Sequence, residues 1–226
     1  MEDIVLVGAS GLAREVIALL AESTSQRVVG VIDDNASALG SGFGGVPVLG
    51  TIEDAIVPGT RALLCVGAGS ARERIAGRLA SKDILQAEYA TVLDPSVRNP
   101  GRCPIGPGSI LLANVTLTAD LTVGAHVVIM PGATITHDDV IEDFATLAAG
   151  VSLGGGVRIG RGAYLGMNSS VRPGSTVGAY STLGMGAALL SDLPDHQTWV
   201  GVPARPIAGR DHVGPQLVLN REGGIA

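Results

Sequence analysis

Between Ile105 and Leu189 every sixth residue is aliphatic: Ile105, Leu111, Leu117, Val123, Ile129, Ile135, Ile141, Leu147, Leu153, Ile159, Leu165, Val171, Val177, Leu183 and Leu189. A period of six matches neither the 3.6-residue turn of a helix nor the two-residue alternation of a strand. It predicts a solenoid in which each hexad forms one flat side and sends one aliphatic side chain to the axis. With three sides to a turn, the series makes about five triangular coils.

The other hexad positions agree. Three residues after each aliphatic one stand Gly108, Asn114, Asp120, His126, Gly132, Asp138, Phe144, Gly150, Gly156, Gly162, Asn168, Gly174, Tyr180 and Gly186. Gly, Asn and Asp dominate, the types that tolerate a left-handed backbone at a tight corner. One residue later small or β-branched side chains prevail, such as Ser109, Val127, Ala133, Ala145, Val157 and Ser169. They would share a narrow interior with the aliphatic series. Rings would overpack it, which accounts for an aromatic content of only 3%.

A chain of 226 residues, 46% of them hydrophobic, is large enough for one or two domains with a substantial core. A net charge of −6 without a Lys/Arg cluster argues against nucleic acid as a partner. Cys65 and Cys103 alone imply neither a disulfide framework nor a cysteine zinc site. The first residues lack the basic flank and length of a secretory signal, and no apolar run approaches the ~20 residues of a membrane span. The expectation is a cytoplasmic protein with no membrane partner.

Ahead of the solenoid the pattern changes. Ile4–Val7 reads as a buried strand, followed by the turn Gly8-Ala-Ser-Gly11 and a helix over Leu12–Ser23. Val28–Ile32 is a second strand ending in Asp33-Asp34. Ala62–Val66 is a third, ending in Gly67-Ala-Gly69 before a helix over Ser70–Lys82. Strand, Gly-rich turn, helix and strand with a terminal acid is the doubly wound, Rossmann-like pattern, which binds ligands beyond the carboxyl ends of its strands. The strict G-x-G-x-x-G fingerprint is absent. A turn opening a helix can cradle phosphate all the same, although Gly8 and Gly11 equally suit plain close packing. Three strands in so short a segment fit a single nucleotide better than a dinucleotide. Pro and Gly density marks a boundary. The expected organisation is therefore a nucleotide-binding domain at 1–90, a linker at 91–104, the solenoid at 105–207 and a tail at 208–226.

Four landmarks, in order along nearly the whole chain, carry a family resemblance: G-A-S-G-x-A-R-E-V at 8–16, V-I-D-D at 31–34, T-H-D-D at 136–139 and G-V-P-A-R at 201–205. With the unbroken hexads, the chain resembles the hexapeptide-repeat sugar acyltransferases of the sialic acid O-acetyltransferase and bacillosamine N-acetyltransferase type. The resemblance implies a homotrimer of left-handed parallel β-helices, each with an N-terminal nucleotide-sugar domain, moving an acetyl group from acetyl-CoA to a sugar.

Carried onto this chain, the resemblance implies His137 as catalytic base, oriented by Asp138. Histidine suits such a role near neutral pH, and an activated thioester needs no Ser or Cys nucleophile. For acetyl-CoA it implies Thr146, Gly155, Met167, Met185 and the segment Gly201, Val202, Pro203, Ala204 and Arg205, with the Gly155 N–H a candidate oxyanion donor. For the sugar nucleotide it implies Ser10, Gly11, Leu12, Ala13, Asp33, Asp34 and Gly67. His126, at a corner, reads as structural or exposed. Too few histidines lie in the solenoid for a three-histidine zinc site. The chain departs from the family pattern where Leu12 and Thr146 replace histidines. The leading expectation is N-acetylation of a nucleotide-linked amino sugar. O-acetylation of a sialic-acid-like sugar, and a non-catalytic nucleotide-binding scaffold, are the alternatives.

Overall fold

A computed structural model describes residues 1–34, 42–52, 59–81 and 89–207. Its first part is a five-stranded sheet with two helices. In chain order these are β1 (Glu2–Val7), α1 (Gly11–Leu20), β2 (Gln26–Ile32), β3 (Gly42–Phe43), β4 (Val46–Gly50), β5 (Arg61–Leu64) and α2 (Gly69–Ser81). The strand order is β3-β4-β2-β1-β5, parallel except for the β3–β4 pair. Helix α1 starts where Ser10 caps it, its hydroxyl accepting from the Ala13 N–H. The helix ends at Leu20, short of the expected Ser23, and buries Leu12, Ala13, Val16 and Leu20 at helical spacing. Strands β3 and β4 were not anticipated. They form a short hairpin through Gly44 and Gly45, both at positive φ, with β3 at the sheet edge and Pro47 of β4 opposite Gly42.

The second part is the expected left-handed β-helix. Each coil stacks in register on the one eighteen residues earlier: Val128 pairs with Thr146, Thr146 with Tyr164, and Tyr164 with Thr182. The other two sides are the stacks Thr116–Thr134–Ser152–Ser170–Ala188 and Thr122–Val140–Arg158–Thr176. From Leu111 to Leu189 every residue of the aliphatic series is buried, and so are the small residues one place past each corner. All fourteen corner residues named above have positive φ, including the bulky His126, Phe144 and Tyr180.

The segment expected as a linker is instead the first coil. Val92–Leu93 pairs in parallel with Ile110–Leu111, and Arg98 and Ile105 bridge to Thr116 and Val123. The hexad signal fails here because Asn99 stands in the aliphatic slot and Arg102, at positive φ, takes the corner where Gly, Asn or Asp is usual. Asn99 bonds both the N–H and the carbonyl of Cys103, whose buried side chain joins the axial core. At the far end Thr198–Val200 extends the stack and Arg205–Pro206 folds back against it. The expected tail at 208–226 lies outside the described residues.

The two parts share one of their cores. Ile4, Leu6, Leu12, Val16, Leu63 and Cys65 pack with Ile110, Leu112 and Val128 from one outer side of the prism. Burying these apolar surfaces together fixes the sheet domain against that side.

Candidate active site

Backbone hydrogen bonds divide the solenoid corners into three edges. One runs through His126, Phe144, Gly162, Tyr180 and His196, each N–H donating to the coil below. A second runs through Gly132, Gly150, Asn168 and Gly186, flanked by Met167 and Met185. The third runs through Asp138, Gly156 and Gly174, flanked by His137 and Gly155.

Helix α2 docks on the first edge. Gly69 lies so close to the Phe144 carbonyl that a methyl group there would collide with it. Arg72 is completely buried. Its guanidinium donates to the carbonyls of His126 (2.9 Å), Val66 (2.8 Å), Gly67 (2.9 Å), Phe144 (2.8 Å) and Ala145 (3.0 Å), and to Thr146 Oγ1 (3.0 Å). Burial lowers its pKa to about 10, so it stays protonated at neutral pH. Glu73 adds bonds to Arg161 (2.8 Å) and the Tyr180 hydroxyl (2.7 Å). The bulky corner residues, costly at positive φ, thus form the platform on which the helix sits.

His126 belongs to this seam and is buried rather than exposed. Its ring stacks on Phe144 and meets the edge of Tyr89. Burial, reinforced by Arg72, pushes its pKa from 6.5 down to about 4. A histidine held neutral in the fold costs stability as the unfolded chain takes up its proton. The stability of the wild type relative to a His126→Asn variant therefore falls between pH 6.5 and about 4 and is constant above that window. Asparagine accepts the left-handed corner, and denaturant titrations at each pH measure the difference.

Between the sheet domain and the second edge opens a cleft of about 320 Å³, lined by Ser10, Gly11, Leu12, Gly67 and Ala68 on one wall and Val128, Met130, Thr146, Ala148, Ala149, Tyr164 and Met167 on the other. Most of this lining is apolar. The Ser10 hydroxyl donates to the Cys65 carbonyl (2.6 Å), and the Thr146 hydroxyl donates to the Gly67 carbonyl (3.0 Å). Thr146, expected to touch the acyl donor, is thereby buried in the seam with its hydroxyl committed. Of the expected sugar-nucleotide residues, Ser10, Gly11, Leu12 and Gly67 reach the cleft, whereas Ala13, Asp33 and Asp34 do not line it. Ala13 is buried in α1. Asp33 accepts from the Ala9 N–H (2.6 Å), fastening the Gly-rich turn, and Asp34 pairs with Arg78 (2.7 Å).

His137 stands elsewhere, exposed on the third edge. Its Nδ1 lies 2.8 Å from Asp138 Oδ2. A carboxylate can only accept, so Nδ1 carries the proton and Nε2 keeps its lone pair. The hydrogen bond to Asp138 raises the imidazole pKa, and the charges of Asp138, Asp139 and Asp120 add to the effect. Gly155, one coil on, faces the ring, and a methyl group there would land on it. Of the other expected donor residues, Met167 lines the cleft and exposed Met185 sits one coil beyond it. Gly201, Val202, Pro203 and Arg205 are exposed on the terminal turn, while Ala204 is buried beneath it, donating to the Ala188 carbonyl. Within one chain, then, the base candidate and the cleft occupy different edges.

Comparison with known proteins agrees with this architecture. Residues 3–79 match the PglD N-terminal domain family. The acetyltransferase domain of PglB from Neisseria gonorrhoeae FA1090 superposes with a TM-score of 0.82 at 28% identity, over 92% of this chain and 100% of that one. The structural relatives are hexapeptide-repeat sugar acyltransferases, and the chain is similar to them along nearly its whole length. PerB from Caulobacter crescentus, solved with CoA and GDP-perosamine, superposes at 0.79 with 29% identity, over 92% of this chain and 98% of PerB. WeeI from Acinetobacter baumannii AYE does so at 0.75 with 26% identity, over 92% and 100%. No curated protein matches the sequence itself. No helix among the described residues is long and apolar enough to cross a membrane.

Sequence reasoning missed Arg72, Asp139, Met130 and Tyr164. Arg72 lies on the buried stripe of α2 with Ile75, Ala76 and Leu79, and a charged residue on such a stripe is the signal that could have found it. Asp139 is a carboxylate at an interior hexad position where small or aliphatic residues are the rule. Met130 and Tyr164 point outward from the prism, and only the docked sheet domain turns them into cleft lining.

Proposed function

We propose that this acyltransferase moves the acetyl group of acetyl-CoA onto the amine of a nucleotide-linked amino sugar, with His137 as general base. The observation that carries the reading is His137 itself: exposed, held by Asp138 through Nδ1, with Nε2 free beside the backbone of Gly155. The structural relatives support the kind of reaction, since PerB was crystallised with CoA and GDP-perosamine, and the PglB domain with acetyl-CoA.

In the proposed reaction the sugar amine attacks the thioester carbonyl, and His137 Nε2 takes the proton that nitrogen sheds as the C–N bond forms. The Gly155 N–H is the candidate donor to the transient oxyanion. As the C–S bond breaks, the CoA sulfur leaves as thiolate and takes that proton from the His137 imidazolium, which restores the neutral base. The nucleotide sugar would enter over Gly11, Leu12 and Gly67 in the interdomain cleft.

The separation of cleft and base onto different edges favours a site completed by a second copy, the His137 edge of one protomer meeting the Met167–Met185 edge of its neighbour. Thr116, Thr134, Ser152, Ser170 and Ala188 make the side between these edges flat and small-residued, suited to close packing in a closed trimer. Acetyl-CoA offered with a panel of UDP-, dTDP- and GDP-linked amino sugars, scored by thiol release, tests the reading. One member is expected to give turnover dependent on its free amine, and a panel without amine-dependent release rejects it.

A further inference from the structure

We infer that Asp139 is a positioning residue for His137, its buried carboxylate tying the corner that bears the imidazole to the next coil, where Gly155 faces it. The inference rests on the reading of His137 as the base. Asp139 is completely buried within the prism, at a hexad position held elsewhere by Ala133, Ala145, Ser169 and similar side chains. One oxygen accepts from the Thr136 N–H (2.8 Å), closing a loop that has His137 and Asp138 at its apex. The other accepts from the Val157 N–H (2.7 Å) in the following coil. At most other corners the equivalent N–H closes its own turn, although that of Val127 reaches down to the Ser109 hydroxyl one coil earlier. Ala145 donates to Glu142, Ala163 to Gly160 and Ser169 to Gly166. The Val157 N–H instead reaches down to Asp139, so the Gly155-Gly156 turn is anchored to the base-bearing loop rather than to itself.

This arrangement has a cost that packing does not require. Burial pushes the Asp139 carboxyl up to about 6, against the opposing pull of its two N–H donors and of His137, with Asp138 raising it further. Alanine would fill the position without that penalty, as it does in neighbouring coils. A carboxylate kept there serves the alignment of the imidazole over Gly155 and adds negative charge behind it. Misplacement of a base by about 1 Å can cost on the order of a hundredfold in rate.

Asp139→Ala and Asp139→Asn test the proposal. The alanine variant is expected to fold with a stability near that of wild type at neutral pH, because relief of a buried carboxylate is offset by the loss of the acceptors for the Thr136 and Val157 N–H groups. Wild type gains on it as the pH falls through 6 and the Asp139 carboxyl protonates in the fold. Its kcat should drop at least about tenfold, with both KM values within about twofold of wild type. Asparagine, which keeps an acceptor for one N–H only, should fall between. The His137 titration, followed by NMR of the imidazole without substrate, should move to lower pH in the alanine variant. A kcat within about twofold of wild type, or an unmoved His137 midpoint, overturns the proposal. Should wild type fail to transfer acetyl groups, the reading of His137 as base fails, and the NMR titration still decides whether Asp139 acts on that ring.

Discussion

Replacing His137 by alanine is expected to lower kcat by roughly 10²–10⁴-fold, the usual contribution of a positioned general base. Binding of acetyl-CoA is expected to stay within a factor of about two, because the side chain is exposed on its edge and supports no packing. Calorimetric titration with CoA alongside steady-state turnover separates the two effects. In the proposed reaction the reactive form is the neutral imidazole, and its pKa is raised by Asp138. The rate should therefore climb with pH through a midpoint above 6.5, and Asp138→Asn should move that midpoint down. Unimpaired turnover in His137→Ala would leave the fold and the cleft standing but remove the base from the proposed reaction.

The second large effect concerns stability. Arg72→Met is expected to destabilise the protein by roughly 3–5 kcal/mol, the range seen when one partner of a buried charged network is removed. Methionine fills part of the space, but five backbone carbonyls and the Thr146 hydroxyl lose their shared donor, and four of these six contacts are fully buried. A buried acceptor left without a partner costs more than the hydrogen bond contributed. Arg72→Lys keeps a charge but loses the planar fork that spans both domains, so it should recover only part of the loss. Chemical denaturation monitored by far-UV circular dichroism measures both variants. A loss below about 1 kcal/mol in Arg72→Met would show that the seam is held by its apolar contacts alone. The Gly67 carbonyl is among those Arg72 holds, so KM for the sugar nucleotide should rise in the folded fraction of either variant.

Much of the architecture was legible residue by residue. The hexad series located the axial side chains, and the Gly, Asn and Asp three places on marked corners that the coordinates hold at positive φ. Strand–turn–helix alternation placed β1, α1, β2, β5 and α2 within a few residues. Reading failed where geometry came from side-chain hydrogen bonds instead of period. Asn99 stands in an aliphatic slot of the first coil and bonds Cys103 around the Arg102 corner, so residues 91–104 read as a linker. The Gly44-Gly45 hairpin was too short to carry a periodic signal.

The candidate site was legible in its chemistry and not in its layout. His137 and Asp138 were implied by the family resemblance that T-H-D-D at 136–139 carries, and the coordinates place their side chains 2.8 Å apart. Asp33 and Asp34 could not be distinguished from ligand-binding acids, and only the coordinates showed them fastened to Ala9 and to Arg78. Nothing local reveals that Thr146 faces a buried arginine 74 residues earlier. The period of six determined by itself that this chain is a three-sided prism with an imidazole on one corner, since a repeating local conformation needs only local instructions. Which edge receives α2, where the cleft opens, and that cleft and imidazole fall on different edges were decided by tertiary packing. Those outcomes depend on how a non-repeating domain docks against one of three near-equivalent sides, through contacts between residues far apart in the chain.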